Sequence, residues 1–165
     1  MSKTEQNLWE AFAGESQANR KYLAFAKKAD RDGYPQVAKL FRAAAHAETI
    51  HAHAHLRGLK AIGDTRENLK AAIAGELHEF EKMYPAMIET AKAEGDKAAE
   101  MSFTYAHKVE KTHADLYQKA LANLDQLAPT DYYVCEVCGH THEGCAPPEK
   151  CLVCGANARA FVKID

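Results

Sequence analysis

The stretch HAETIHAHAHL, from His46 to Leu56, places four histidines and one glutamate within eleven residues, and its reading decides the fold. Its surroundings, up to about Leu127, are rich in Ala, Leu, Glu, Lys and Gln and poor in Gly and Pro, which is helix-forming composition. In a helix, residues three apart lie about 60° apart around the axis and about 4.5 Å along it, so Glu48 and His51 can converge on one ion. His46 and His53 point well away from His51 and are expected to be solvated or loosely packed. His55, one turn beyond His51, is either a support for the site or a surface residue.

A lone Glu-x-x-His in a polar helix is ordinarily a solvated pair, but here the pattern occurs twice. GES from Gly14 and GEL from Gly75 each open a stretch that reaches a Glu-x-x-His about 34 residues later, Glu48 with His51 and Glu110 with His113. Phe41 and Phe103 precede those glutamates by two helical turns, so the helical region reads as two copies of one helix pair. Two Glu-x-x-His pairs plus one glutamate from each of two other helices form the ligand set of dinuclear carboxylate sites in helix bundles, and Glu15 and Glu76 are placed to complete it. Several inward-facing ionised glutamates need cations to offset their desolvation. One imidazole per metal among carboxylates suits iron or manganese. Glu79, about one turn after Glu76, adds a carboxylate that can change coordination with oxidation state. Tyr22 and Tyr84 stand where their hydroxyls can reach ligand carboxylates, or else serve as core tyrosines with other partners.

Local punctuation divides the helical region. Thr4 can cap a first helix that DRDGYP stops near Asp30, and Pro35 suits the first turn of a second that ends near Gly58. Asp64 or Thr65 caps a third, Gly95 ends it, and Asp96 caps a fourth that stops before Pro129. Pro85, inside the third helix, is expected to remove a backbone hydrogen bond and kink it. Beyond Pro129 the composition changes to short β-prone runs, DYYVCEVCGH and ARAFVKID, around Gly- and Pro-rich loops. The expected fold class is mainly α, a four-helix bundle over residues 1–128 followed by a small β-rich metal domain over 131–165.

All five cysteines lie in that last part. CEVCG from Cys135 and CLVCG from Cys151 are two CxxC-Gly turns, and Cys135, Cys138, Cys151 and Cys154 make a closed tetrahedral thiolate site. A structural zinc ribbon and a redox iron site both satisfy four thiolates. Cys145, between the turns, is read as a bystander thiol.

Composition narrows the partners. With 165 residues, 47% hydrophobic content and a formal net charge of −2, the chain can bury a core but has no electrostatic footprint for nucleic acid or an anionic membrane. The opening MSKTEQNLWEAFAGES lacks the basic and apolar regions of a secretory signal, and no apolar run is long enough to span a bilayer, so the expected location is the cytoplasm.

Taken together, ESQANRKYLAFA from Glu15, HAETIHAHAH from His46, GELHEFEKMYP from Gly75, EKTHADLY from Glu110 and YYVCEVCGHTHEGCAPPEKCLVCG from Tyr132 resemble the rubrerythrin family over nearly the whole chain. The resemblance implies a ferritin-like domain with a non-haem di-iron site, then a rubredoxin-like domain holding one iron by four thiolates. It implies a peroxidase that reduces hydrogen peroxide to water and protects against oxidative stress, drawing electrons from NAD(P)H through a partner redox protein such as rubredoxin or its reductase. By position, Glu15, Glu48, His51, Glu76, Glu79, Glu110 and His113 resemble the di-iron ligands, Glu48 and Glu110 the bridging ones, and Tyr22 and Tyr84 the family's supporting tyrosines. Leu152, where rubredoxin turns usually carry proline, and Cys145 depart from the pattern without removing a ligand. Other readings are a ferroxidase or dioxygen-reducing di-iron protein, and a metal-binding protein with a zinc ribbon.

A ferritin-like bundle runs its second and third helices roughly parallel, so their link must span on the order of 30 Å for helices of about 23 residues. The link from Gly58 to Asp64 reaches roughly 25 Å at most. A domain-swapped homodimer is therefore expected, each site taking Glu15, Glu48 and His51 from one chain and Glu76, Glu79, Glu110 and His113 from another.

Overall fold

Ser2 rather than Thr4 starts the first helix. In the computed structural model, which describes residues 1–165, the Glu5 N–H donates to the Ser2 hydroxyl at 3.1 Å and the Ser2 N–H donates to the Glu5 carboxylate at 3.2 Å. This reciprocal capping box opens α1 (Lys3–Arg31), satisfying two of the donors a helix start leaves over. Gly33, at φ 82°, takes the left-handed conformation that turns the chain, and Pro35 opens α2 (Pro35–Gly58).

α1 and α2 pair as a hairpin through small residues. Ala26 and Ala29 meet Ala38, with Phe41 packed against them, and Ala45 and Ala52 continue the buried stripe at seven-residue intervals. Alanine lets the helices approach closely, so main-chain groups come within reach of side chains. Buried Asn19 donates to the Ala45 carbonyl at 2.6 Å and to the Thr49 hydroxyl at 2.9 Å. This hairpin is the compact unit Met1–Gly63.

The second unit, Asp64–Asp165, opens with another capping box, Asp64 with Glu67. It starts α3 (Thr65–His78), which passes through a π-helical segment, Glu79–Met83, into α4 (Tyr84–Glu94). The expected interruption at Pro85 thus takes the form of a widened turn, with the Tyr84 N–H donating to the Glu79 carbonyl five residues back. The internal repeat supplies the reason. Glu15 and Glu76 stand one residue closer in number than Tyr22 and Tyr84, Phe41 and Phe103, or Glu48 and Glu110. The second copy therefore carries one extra residue between Glu76 and Tyr84, and a π turn absorbs one residue without ending the helix.

Gly95, at φ 73°, ends α4, and the Asp96 side chain accepts from the Ala99 N–H to begin α5 (Lys97–Ala122). A small antiparallel sheet follows in the order β2-β1-β3, built from β1 (Tyr132–Cys135), β2 (Thr141–Glu143) and β3 (Phe161–Ile164). Val134 sits opposite Thr141 on one side and Val162 on the other. Lys119 of α5 donates to Glu143 of β2 at 2.5 Å, tying the sheet to the helix. The architecture is mainly α with a small β-rich end, as expected, and no helix is long and apolar enough to cross a membrane.

Candidate metal centres

Each copy of the repeat gathers one glutamate and one Glu-x-x-His pair. In the first unit Glu15 from α1 meets Glu48 and His51 from α2, with the candidate ligand atoms all within 4.8 Å of one another. His51 Nδ1 lies 2.8 Å from Glu48 Oε2 and 3.8 Å from Glu15 Oε1. In the second unit Glu76 from α3 meets Glu110 and His113 from α5 in the same way. His113 Nδ1 lies 3.0 Å from Glu110 Oε2 and 3.5 Å from Glu76 Oε2. The i, i+3 spacing expected to bring glutamate and histidine together does so twice.

The second group shows why a cation fits. Burial drives the Glu110 carboxyl up to about 7, the hydrogen bond with Glu76 and its charge add to the rise, and His113 offsets only part of it. Tyr84 is raised as well, first by burial and then by the charges of Glu110, Glu79 and Glu76. A partly buried carboxylate whose pKa is pushed up beside a second carboxylate is stabilised by a bound cation. Glu79 lies outside the three-residue group, at the start of the π segment.

The two tyrosines differ. Tyr84 senses three glutamates and pairs with Phe103, ring centres 6.3 Å apart. Tyr22 pairs with Phe41 at 6.1 Å in a matching tilted geometry, but its hydroxyl makes no hydrogen bond to Glu15 or Glu48. His46 and His53 are exposed and His55 is half-buried.

The cysteine turns form the third centre. The four sulfurs lie within 4.8 Å of one another, with Cys135 to Cys154 at 3.7 Å and Cys138 to Cys151 at 3.5 Å. A metal with thiolate bonds of about 2.3 Å in a tetrahedron would set its sulfurs roughly 3.8 Å apart, so the cradle fits. The two turns are built alike. Cys135 N–H donates to the His140 carbonyl and Cys151 N–H to that of Ala156, while Gly139 and Gly155, at φ 80° and 76°, donate back to Cys135 and Cys151. Positive φ at both glycines lets the chain curl its amides toward sulfur. Burial would raise the Cys151 thiol, but N–H bonds from Cys154 and Val153 and the neighbouring thiols bring it down to about 7. Burial drives Cys138 well above the ordinary thiol range despite the N–H bond it accepts from His140. Four thiolates in this space require a metal to offset their charge. Exposed Cys145 stands outside the cluster, and Leu152, next to Cys151, is 83% exposed.

Two residues escaped the spacing argument. His113 Nε2 lies 3.0 Å from the Thr141 hydroxyl of β2, and His140 is buried with its ring edge-on to Phe161. Neither leaves a periodic signal, because strand and helix meet only in the folded chain.

Comparison with known proteins agrees with this geometry. The family model described as Rubrerythrin matches residues 6–121, and that described as Rubrerythrin, rubredoxin-like domain, matches residues 133–162. Rubrerythrin-2 of Clostridium acetobutylicum is 37% identical, covering 96% of this chain and 95% of its own. Nigerythrin of Nitratidesulfovibrio vulgaris is 36% identical over 93% of this chain and 83% of its own. A solved structure of nigerythrin in its fully reduced, all-ferrous state has a TM-score of 0.60 and 34% identity, over 99% of this chain and 88% of that one. Carboxylate and histidine groups suited to a di-iron site, together with a four-cysteine site suited to one iron, are thus present in one chain.

Proposed function

The chain belongs to the rubrerythrin family, and from that premise we propose that it is a peroxidase, reducing hydrogen peroxide to water at a di-iron site fed by its four-cysteine iron. The observation that carries this reading is the presence of two matching Glu-x-x-His half-sites and a complete thiolate cradle in one chain. The residues proposed to hold the irons are Glu15, Glu48, His51, Glu76, Glu110 and His113, with Cys135, Cys138, Cys151 and Cys154 for the third; by resemblance to the family Glu79 would join them, and Glu48 and Glu110 would be the ligands shared by the pair.

When bound, the iron pair supplies Lewis acidity and two electrons, and the thiolate-held iron supplies electrons singly. The protein's part is to place charge and protons. One peroxide takes up two electrons and two protons to give two waters. Tyr84, close enough to Glu76, Glu79 and Glu110 for their charges to act on its hydroxyl, and Glu79 are the groups proposed to hold and pass on protons. Tyr22 takes the matching place in the other half without the same carboxylate contacts. In the cysteine domain, the N–H bonds to Cys151 stabilise negative charge on its sulfur, as a thiolate that would hold iron requires.

The proposed functional domains are 1–128 and 131–165, working in the cytoplasm with an electron-donor redox protein, either rubredoxin or an NAD(P)H-dependent reductase. Nucleic acid and membrane are not proposed partners, in keeping with the net charge of −2. A domain-swapped homodimer is supported by the short Gly58 to Asp64 link and by large apolar side chains that the first unit leaves uncovered. Leu40 is 68% exposed and Phe25 47%. Metal analysis together with peroxide consumption tests the reading: about three irons per chain and turnover driven by reduced rubredoxin support it. Zinc in the cysteine site of native protein, or iron oxidation without peroxide turnover, would favour the zinc-ribbon or ferroxidase alternatives.

A further inference from the structure

His113 is held from two directions. Its Nδ1 faces Glu110 and Glu76, and its Nε2 faces the Thr141 hydroxyl at 3.0 Å. We propose that Thr141 is a positioning residue for the helical metal site, accepting a hydrogen bond from His113 Nε2–H so that the Nδ1 lone pair is kept for a metal held between it and the carboxylates. The proposal rests on the di-iron reading above.

A neutral imidazole has one N–H and one lone pair, and only the lone pair binds a metal. Left with Glu110 alone, His113 would place its proton on Nδ1, where it could donate to the carboxylate 3.0 Å away. That is the tautomer that cannot bind a metal through Nδ1. An acceptor at Nε2 pulls the proton to the far side of the ring, the role carboxylates and carbonyls usually play behind metal-bound histidines.

Thr141 is itself well anchored. It pairs with Val134 across β1 and β2, and Glu143, two residues along and on the same face of the strand, is held by Lys119 of α5. The preceding residue, His140, gives its N–H to the Cys138 sulfur. One dipeptide therefore contacts a thiolate of the cysteine cradle with its first residue and a histidine of the helical site with its second. The other half-site has no equivalent, since His51 Nε2 makes no hydrogen bond and its side chain is 55% exposed. An open cavity bordered by Leu69, Leu116 and Tyr132 adjoins His113 and Thr141, so water can partly replace a lost hydroxyl and the effect should be moderate.

The test uses the full-length protein with enough zinc to fill the four thiolates and the helical site. Ring nitrogen NMR should show His113 bound through Nδ1, with an Nε2–H proton that exchanges slowly. Thr141→Val, which keeps the β-branched shape of a strand residue, should make that proton exchange at least about tenfold faster and weaken anaerobic ferrous-ion binding about tenfold by calorimetry. Thr141→Ser should restore both, and the His51 signals should stay unchanged. A Thr141→Val protein with wild-type proton exchange and wild-type ferrous affinity would overturn the proposal. If the wild-type helices bind neither zinc nor ferrous ion, the di-iron reading fails, while a change in the His113 Nε2 shift between wild type and Thr141→Val, with zinc in the thiolates alone, still decides the contact with Thr141.

Discussion

The two copies of the helical repeat keep the same candidate ligands but surround them differently. The first copy is two uninterrupted helices joined through alanines, and its His51 is more than half exposed with a free ring nitrogen. The second contains a π segment, gains Glu79, buries Glu110 enough to raise its pKa to about 7, and holds His113 against Thr141. Counting forward from Glu15, the position that matches Glu79 is Ala18. Both copies carry the same glutamate and Glu-x-x-His pattern, and the second adds one residue to the spacing and one contact from the sheet.

Removing a shared ligand should erase the difference altogether. Glu110→Ala takes away a carboxylate proposed to bridge, so iron content should fall from about three toward one per chain and peroxide turnover by about 100-fold or more. Metal analysis and initial rates check this.

Glu79→Ala reduces the second half toward the first. Iron content should fall less than in Glu110→Ala, because six other proposed ligands remain, while peroxide turnover drops roughly 30-fold, because a carboxylate that transfers protons contributes between about 100 and 10,000-fold and less when water substitutes. An unchanged rate would assign proton delivery elsewhere.

Acidity should act more gently, through Glu110 of the second half. The Glu110 pKa is raised from 4.5 to about 7, so in metal-free protein it stabilises the fold at low pH, and that contribution is lost as pH rises toward 7. Metal must displace the same proton. Ferrous affinity should therefore fall up to about tenfold per pH unit below 7, and denaturation and binding measured across this range check both signs.

The smallest effect contrasts the tyrosines. Tyr84→Phe should slow peroxide turnover by about three- to tenfold, and Tyr22→Phe by about twofold or less, since the charges of Glu110, Glu79 and Glu76 act on Tyr84, whereas the Tyr22 hydroxyl makes no hydrogen bond to Glu15 or Glu48. Equal effects would break the asymmetry.

What was legible in the sequence is what depends on local geometry. Glu-x-x-His spacing, CxxC-Gly turns and the caps at Asp64, Gly95 and Asp96 follow from helix pitch and backbone conformation, and they emerged where expected. Ser2 displaced Thr4 as the first cap because Glu5 completes its box. At Pro85 the missing N–H was read as a kink, whereas the extra residue in the repeat made a π turn available. Thr141 was out of reach because a strand meets a helix there across a long stretch of chain. Exposed Leu40 and Ile50 were equally hidden, since periodicity marks an apolar face without showing what covers it.

The central claim is that peroxide is reduced at the helical site with electrons from the cysteine-bound iron. It is tested most directly by reducing the iron-loaded protein without oxygen and following the thiolate-bound iron by stopped-flow absorbance after mixing with hydrogen peroxide or dioxygen. The account predicts oxidation at least about tenfold faster with peroxide, slowed in Glu79→Ala. Faster oxidation by dioxygen, or a cysteine centre that does not respond, would contradict it.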